Sequence, residues 1–267
     1  FLDRGLKRPV HLALTFDEEV GCLGVHHLIE DVKRHGIRPE AAIIGEPTNM
    51  EVVDAHKGIA GFRTTFRGVP AHSSMTHIGV SATHAAGRFV AFLDNLFEEY
   101  RGRARPDLGF VPPYTTIQVG IMNGGTASNI IAQDAMVDWH FRTMPTDDSK
   151  EIEASARGYL DELKAKLQAE HPETDVVTTV RSNVLPLKPD DASPATQLAL
   201  ALTGANDTHQ ASFATEAGIF QANGLPAVVC GPGDIAQAHQ PNEFITLEQV
   251  EACNAFLQRL MGRVCER

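Results

Sequence analysis

The chain has 267 residues, 43% hydrophobic and 21% charged, enough apolar mass for one large or two ordinary domains. A formal charge of −11 without any basic cluster argues against nucleic acid or an anionic membrane as partner. No uninterrupted apolar segment is long enough to span a bilayer and no signal-peptide pattern opens the chain. The four cysteines (Cys22, Cys230, Cys253, Cys265) have neither metal-ligand spacing nor the density of a secreted scaffold, so a reducing, cytoplasmic setting is the expectation.

The opening, Phe1 to Pro9, reads as the tail of a helix, which suggests a chain cut at its front. Leu12-Ala-Leu-Thr-Phe16 then reads as a short buried strand that stops in three carboxylates, Asp17, Glu18 and Glu19. At the carboxyl end of a strand in an α/β sheet such side chains point into the usual ligand crevice. A solvated turn capping the next helix is the plainer alternative. Val20 to His35 carries apolar residues at Val25, Leu28, Ile29 and Val32, a helical period, with Gly36 as its stop. Ala41 to Ile44 is a second apolar run, ending in Gly45-Glu46-Pro47-Thr48. Strand, helix, strand is the grammar of a parallel sheet.

The pattern then changes. Ile59 to Phe66 reads as a half-exposed strand, followed by the loop Gly68-Val-Pro-Ala-His72-Ser. Ser81 to Tyr100 presents one apolar helical face through Ala82, Ala85, Ala86, Phe89, Leu93, Leu96, Phe97 and Tyr100. Thr115 to Val119 is a strand, Gly124-Gly125-Thr126 a turn. Ala135 to Arg142 alternates buried and polar positions, as a strand covered on one face does. A helix starts at Thr146-Asp-Asp-Ser149 with Ile152, Ala156, Tyr159, Leu160, Leu163 and Leu167 on its apolar face, and Val176 to Val180 closes the set as a strand. Strand, helix, strand, strand, helix, strand is the split βαβ pattern of an α+β domain. The α/β grammar resumes with a helix over Pro194 to Thr203, a third apolar run Ala227 to Cys230 ending in Gly231-Pro-Gly233, and a terminal amphipathic helix from Thr246 to Val264. The predicted organisation is one α/β domain, residues 1–55 and 185–267, interrupted by an inserted α+β domain at residues 56–184.

Three strand-like runs are each followed by a possible metal ligand: Glu19, Glu46 and His239. Two carboxylates and an imidazole at one rim of a sheet suit Zn²⁺, with Co²⁺ or Mn²⁺ as substitutes. If Glu19 coordinates metal, its neighbour Glu18 is left to take a proton from water. A lone His such as His239 is otherwise an ordinary surface or capping residue. His72, Asn129 and Arg142 offer an imidazole, an amide and a guanidinium that suit a carbonyl oxyanion or a carboxylate, and they also read as plain exposed polar residues.

The stretches Thr15-Phe-Asp17-Glu18-Glu19, Gly45-Glu46-Pro47-Thr48, Gly68-Val-Pro-Ala-His72-Ser and Gly231-Pro-Gly233…Ala238-His239-Gln-Pro-Asn-Glu243 resemble the M20 metallopeptidase family over essentially the whole chain, and within it the acetylornithine deacetylase group. The resemblance implies a zinc-peptidase-like catalytic domain with an inserted, ferredoxin-like dimerisation or lid domain, a homodimer, and two Zn²⁺ per subunit. It implies Glu18 as general base, Glu19 and His239 on one zinc, Glu46 on the other, and His72 as a lid residue steadying the oxyanion. Asn129 and Arg142 would contact the substrate carboxylate, and Thr215-Glu216-Ala-Gly218 resembles a substrate-proximal loop. The implied reaction is removal of the acetyl group from N-acetylornithine in arginine biosynthesis. A succinyl-diaminopimelate desuccinylase, a broader aminoacylase or dipeptidase, and a non-catalytic dimeric fragment are the competing readings. The family's upstream His and metal-bridging Asp have no counterpart in this sequence, so weak metal binding and low activity are expected of the chain as given.

Overall fold

The computed structural model describes residues 5–265. By contacts the chain divides into two compact units, Phe1–Lys57 with Val184–Arg267, and Gly58–Asn183.

The first unit is built on a mixed four-stranded sheet in the order β1-β8-β2-β7, formed by β1 (Ala42–Ile44), β2 (Val53–His56), β7 (His209–Ala211) and β8 (Ala227–Val229). Two of its three pairings are parallel; β2 against β8 is antiparallel. The strands are short; β2 and β8 are buried, β1 is half-buried and β7 runs from an exposed His209 to a buried Ala211, and helices supply most of the apolar cover. Ala195 and Ala199 of α4 (Pro194–Thr203) pack on Val52 and Val228. Phe256 of α6 (Leu247–Cys265) packs on Leu202 and Cys230. A short α5 (Ala217–Ala222) lies against β8 and β1, and α1 (Val25–Arg34) against α5.

Three expectations fail in this unit. Leu12 to Phe16 forms no strand, and Leu12 and Leu14 are 86% and 80% exposed. An apolar run becomes a strand only where another strand receives its backbone N–H and C=O groups, and this run pairs with none of the four strands. The helix expected from Val20 starts only at Val25, because residues 16–24 are taken up by a tight loop. Residues 5–9 form no helix; the rest of the expected helix tail, residues 1–4, lies outside the described residues.

The second unit is a four-stranded sheet in the order β4-β5-β3-β6, made of β3 (Gly58–Arg67), β4 (Thr116–Gly124), β5 (Asp134–Thr143) and β6 (Asp175–Val184). β5 is antiparallel to both β3 and β4. Its alternation places Ala135, Val137, Trp139 and Phe141 inward, where Phe62 stacks on Trp139 with centroids 4.4 Å apart and Phe89 meets it edge-on at 5.5 Å. The Trp139 indole N–H donates to Thr64 Oγ1 at 3.0 Å, so its polar atom is not left bare. The covering helices are α2 (Ala82–Arg101), whose first turn is capped by Ser81 Oγ accepting from the His84 N–H, and α3 (Ser149–Glu170), capped by the Asp148 side chain. Both apolar helix faces are spent on this core.

His56 is the least ordinary core residue of the first unit. It is fully buried on β2, its Nδ1–H donates to the Lys57 carbonyl at 2.9 Å, and its Nε2 accepts the Gly218 N–H at 3.3 Å. Burial lowers its pKa to about 4. The unfolded chain therefore binds this proton more readily than the folded one. Stability from the neutral ring is complete above about pH 6.5 and is lost as pH falls towards 4, by about 2 kcal/mol at pH 5 at 1.36 kcal/mol per pH unit. Urea midpoints for the wild type and His56→Gln should therefore diverge less at pH 5 than at pH 7. Parallel curves would contradict a buried neutral His56.

Candidate active site

Because β1 and β8 are parallel, with Ala42 opposite Ala227 and Ile44 opposite Val229, they release their following residues at the same edge of the sheet. Gly45-Glu46-Pro47-Thr48 follows β1, and Cys230-Gly231-Pro232-Gly233 follows β8. The two loops are knitted together. Thr48 Oγ1 donates to the Glu51 carbonyl at 2.8 Å and accepts the Gly231 N–H at 3.1 Å. The Thr48 and Met50 N–H groups donate to the Gly231 carbonyl at 3.2 and 2.9 Å. A Cβ on Gly231 would lie 2.6 Å from the Glu46 carbonyl oxygen, so the approach that fixes Glu46 requires glycine there.

Glu18 and Glu19 stand on a loop that closes on itself. The Gly21 and Cys22 N–H groups donate to the Glu18 carbonyl at 3.0 and 2.9 Å, and the Gly24 N–H donates to the Phe16 carbonyl at 3.0 Å. Asp17 and Cys22 take the left-handed conformation at φ 54° and 56°, which costs a non-glycine residue about 1 kcal/mol or more each. Strain of this kind persists where the surroundings over-determine the loop. The Cys22 thiol is buried and lies 3.5 Å from Glu18 Oε1, to which it donates; burial first, and Glu18 second, push its pKa far above the usual thiol range.

Glu216, just ahead of α5, is only 6% exposed, and its Oε2 accepts the Thr15 hydroxyl at 3.0 Å. Burial raises its pKa, Thr15 opposes the rise, and Glu18 adds to it. Thr215 is fully buried, with Oγ1 accepting the Ala217 N–H at 3.1 Å. His239, at φ 59°, is anchored by its own N–H donating to Glu243 Oε2 at 2.8 Å, and its Nε2 lies 3.5 Å from Glu19 Oε1. With side chains 69% and 73% exposed, that pair alone adds little stability. Glu46 feels the whole group: burial, then Glu18, Glu216 and Glu19, push its pKa up to about 7, and His239 opposes them. Four carboxylates and one imidazole thus act on a single region of the first unit.

Carboxylate oxygen and imidazole nitrogen are donors that zinc and cobalt accept, and crowded acids are relieved by a cation, so the residues suit a metal in kind. In number they fall short: among the described residues no three His, Cys, Asp or Glu side chains stand close enough to hold a metal ion. Of Glu19, Glu46 and His239, which the sequence leads one to expect together, the structure sets Glu19 Oε1 3.5 Å from His239 Nε2, and the three do not form one ligand group. The physical reason is their setting. Glu46 belongs to a knitted, half-buried loop, and the other two stand on exposed ones.

In the second unit His72 and Asn129 are neighbours. The Ser73 N–H donates to the Asn129 carbonyl at 2.9 Å, and residues 72 and 130 form an isolated antiparallel bridge. His72 Nδ1 accepts the Ser74 N–H at 3.3 Å, which puts the proton of the neutral ring on Nε2. Arg142 is not in this group. It pairs with Thr116 at the end of β5 remote from Gly124 and Ala135, on the order of 25 Å away at about 3.3 Å per residue. Arg142 is half-buried, and burial lowers its pKa. Sequence reasoning also passed over Thr15, Cys22 and Thr48, which hold Glu216, Glu18 and the Glu46 loop. Thr15 and Thr48 stand inside the Thr-Phe-Asp-Glu-Glu and Gly-Glu-Pro-Thr runs and so carried some signal, whereas Cys22 carried none.

The M20 peptidase dimerisation domain model matches residues 54–168. The chain is 36% identical over 264 residues to an acetylornithine deacetylase of Myxococcus xanthus, covering 97% of this chain and 66% of that protein. It is 30% identical to an acetylornithine deacetylase of Klebsiella pneumoniae, covering 97% of this chain and 65% of that one. It therefore spans about two thirds of the length of these curated relatives. A tripeptidase from Staphylococcus aureus shares the fold, with a TM-score of 0.69 at 18% identity over 95% of this chain and 63% of that one. With its Asp-Glu-Glu, Gly-Glu-Pro-Thr and His-Gln-Pro-Asn-Glu loops gathered in one unit and a dimerisation domain in the other, the chain belongs to the M20 peptidase family.

Proposed function

We propose that this chain carries the catalytic machinery of a cytoplasmic amide hydrolase that removes the acetyl group from N-acetylornithine, a step of arginine biosynthesis. The observation that carries the reading is the cluster of Glu18, Glu19, Glu46, Glu216 and His239 in the unit built on β1 and β8. The likeness to acetylornithine deacetylases over 97% of the chain supports this substrate. Zinc, two ions in the family pattern, would be held by Glu19 and His239 and by Glu46, and would supply Lewis-acid polarisation of the amide.

The remaining roles fall to the chain's own atoms. Glu18 has Oε1 engaged by the Cys22 thiol, which leaves Oε2 to take the proton of the attacking water and hand it to the departing amine nitrogen. His72, with its ring proton on Nε2, is a donor for the oxyanion that forms on the amide oxygen. Asn129 is a donor for the substrate carboxylate, a role that Arg142, at the far end of β5, does not share with it, and Thr215 and Glu216 flank the substrate. In the metal-loaded protein, Glu18→Gln should retain zinc and lower kcat on N-acetylornithine by roughly 10²–10⁴-fold, the span of general acid–base catalysis. Glu19→Ala and His239→Ala should lose zinc. Zinc analysis beside a hydrolysis assay checks both, and a fully active Glu18→Gln would remove Glu18 as the base.

We further propose a homodimer joined through the second unit. The matched family model names a dimerisation domain, and β4, at the edge of the sheet, leaves Ile121 and Met122 exposed. The apolar faces of α2 and α3 lie in the core, so the exposed strand edge is the better candidate. Light scattering should give about twice the 29.0 kDa chain mass, falling to one chain in Ile121→Lys/Met122→Lys. A wild-type monomer at micromolar concentration would contradict the dimer.

A further inference from the structure

His72 heads a tight turn, in which the Met75 N–H donates to the His72 carbonyl at 2.8 Å. The turn is tied to the segment beside it. The Ser73 N–H donates to the Asn129 carbonyl at 2.9 Å, and the Ile131 N–H to the Ala71 carbonyl at 2.8 Å. With the backbone fixed on both sides, the ring is what remains to be set. Its Nδ1 folds back onto the turn, 3.3 Å from the Ser74 backbone nitrogen and 2.8 Å from Ser74 Oγ. An amide N–H can only donate, so Nδ1 carries a lone pair and no proton. The Ser74 hydroxyl, facing that same lone pair, is therefore a donor as well, and its bond is the shorter of the two. Among the described residues Ser74 Oγ has no other partner, and the opposite ring nitrogen, Nε2, has none at all.

We propose that Ser74 is the positioning residue of the oxyanion donor: its hydroxyl holds Nδ1 as an acceptor, so that His72 keeps its proton on Nε2 and presents that N–H outward. The inference rests on the amide-hydrolase reading, in which His72 steadies the oxyanion, and adds the residue that sets His72. Which ring nitrogen carries the proton is decided by the bond that the other one makes. With the proton on Nδ1, Nε2 would turn a lone pair towards the developing negative charge and repel it. A hydroxyl suits the task, because it rotates to follow the ring while it goes on donating.

Long-range proton–nitrogen correlation spectra of protein carrying isotope-labelled histidine read the tautomer with no metal and no turnover. The chain has 12 histidines, so the His72 signals are assigned as those lost in His72→Gln. In the wild type Nδ1 should be the unprotonated nitrogen and Nε2 the protonated one. Ser74→Ala keeps the backbone N–H, and should move the tautomer ratio towards Nδ1–H by about two- to tenfold, the worth of one neutral hydrogen bond. Ser74→Thr should restore it. A wild-type proton on Nδ1, or the same ratio in Ser74→Ala, overturns the inference. In the metal-loaded protein, Ser74→Ala should lower kcat on N-acetylornithine by about two- to tenfold with KM kept, and Ser74→Thr should recover it. Added to His72→Ala, Ser74→Ala should cost nothing more. A double variant slowed again by the same factor means that Ser74 acts apart from His72, which also overturns the inference. If the wild type does not hydrolyse the substrate, the amide-hydrolase reading fails, and the spectra alone decide whether Ser74 sets the ring.

Discussion

The site depends on one close approach, that of Gly231 to the backbone at Glu46. Two short parallel strands bring their following loops to one edge of a sheet, but strand geometry alone would leave those loops free. The Thr48 hydroxyl, inserted between the Glu51 carbonyl and the Gly231 N–H, fixes their separation. With no Cβ at Gly231 the backbones close to a distance that any other residue would forbid. The Gly-Glu-Pro-Thr and Gly-Pro-Gly runs are thus two halves of one joint, and Glu46 is carried on it.

On that joint the protein concentrates charge of one sign. Glu46 is raised to about 7 by burial and by three neighbouring acids, and Glu216 is raised as well. Like charges gathered in a partly desolvated region weaken a fold unless a cation answers them. The same region contains left-handed non-glycine residues at Asp17, Cys22 and His239. Backbone strain and crowded acids in one place are costs that a binding site explains and a plain surface does not. The second unit shows no such tension. Its helices are conventionally capped, its aromatic core is close-packed, and its unusual feature is the short bridge that sets His72 beside Asn129.

How much of this was legible from the sequence follows from the range of the interactions. The alternation of Ala135, Val137, Trp139 and Phe141 announces β5, and Ser81 and Asp148 announce helix starts, because those signals are local. β2 was missed since two of its four residues, Asp54 and His56, are polar yet buried, satisfied by partners distant in the chain. Leu12 to Phe16 was misread for the converse reason: its residues suit a strand, but strand formation needs a neighbour that composition cannot reveal. Arg142 was grouped with His72 and Asn129 by chemistry, and only the β4–β5 register places it at the other end of the strand. The Cys22–Glu18 and Thr15–Glu216 contacts were invisible because each depends on a tight loop or on a partner some two hundred residues away.

In the function proposed above, Glu19, Glu46 and His239 are the chain's own ligands to a metal centre. Anomalous diffraction recorded at the zinc absorption edge, from crystals of the protein grown with zinc, tests this most directly. One peak is expected at Glu19 and His239, at about 2.0–2.2 Å from their donor atoms, and a second at Glu46. Zinc sited away from these three side chains would contradict it.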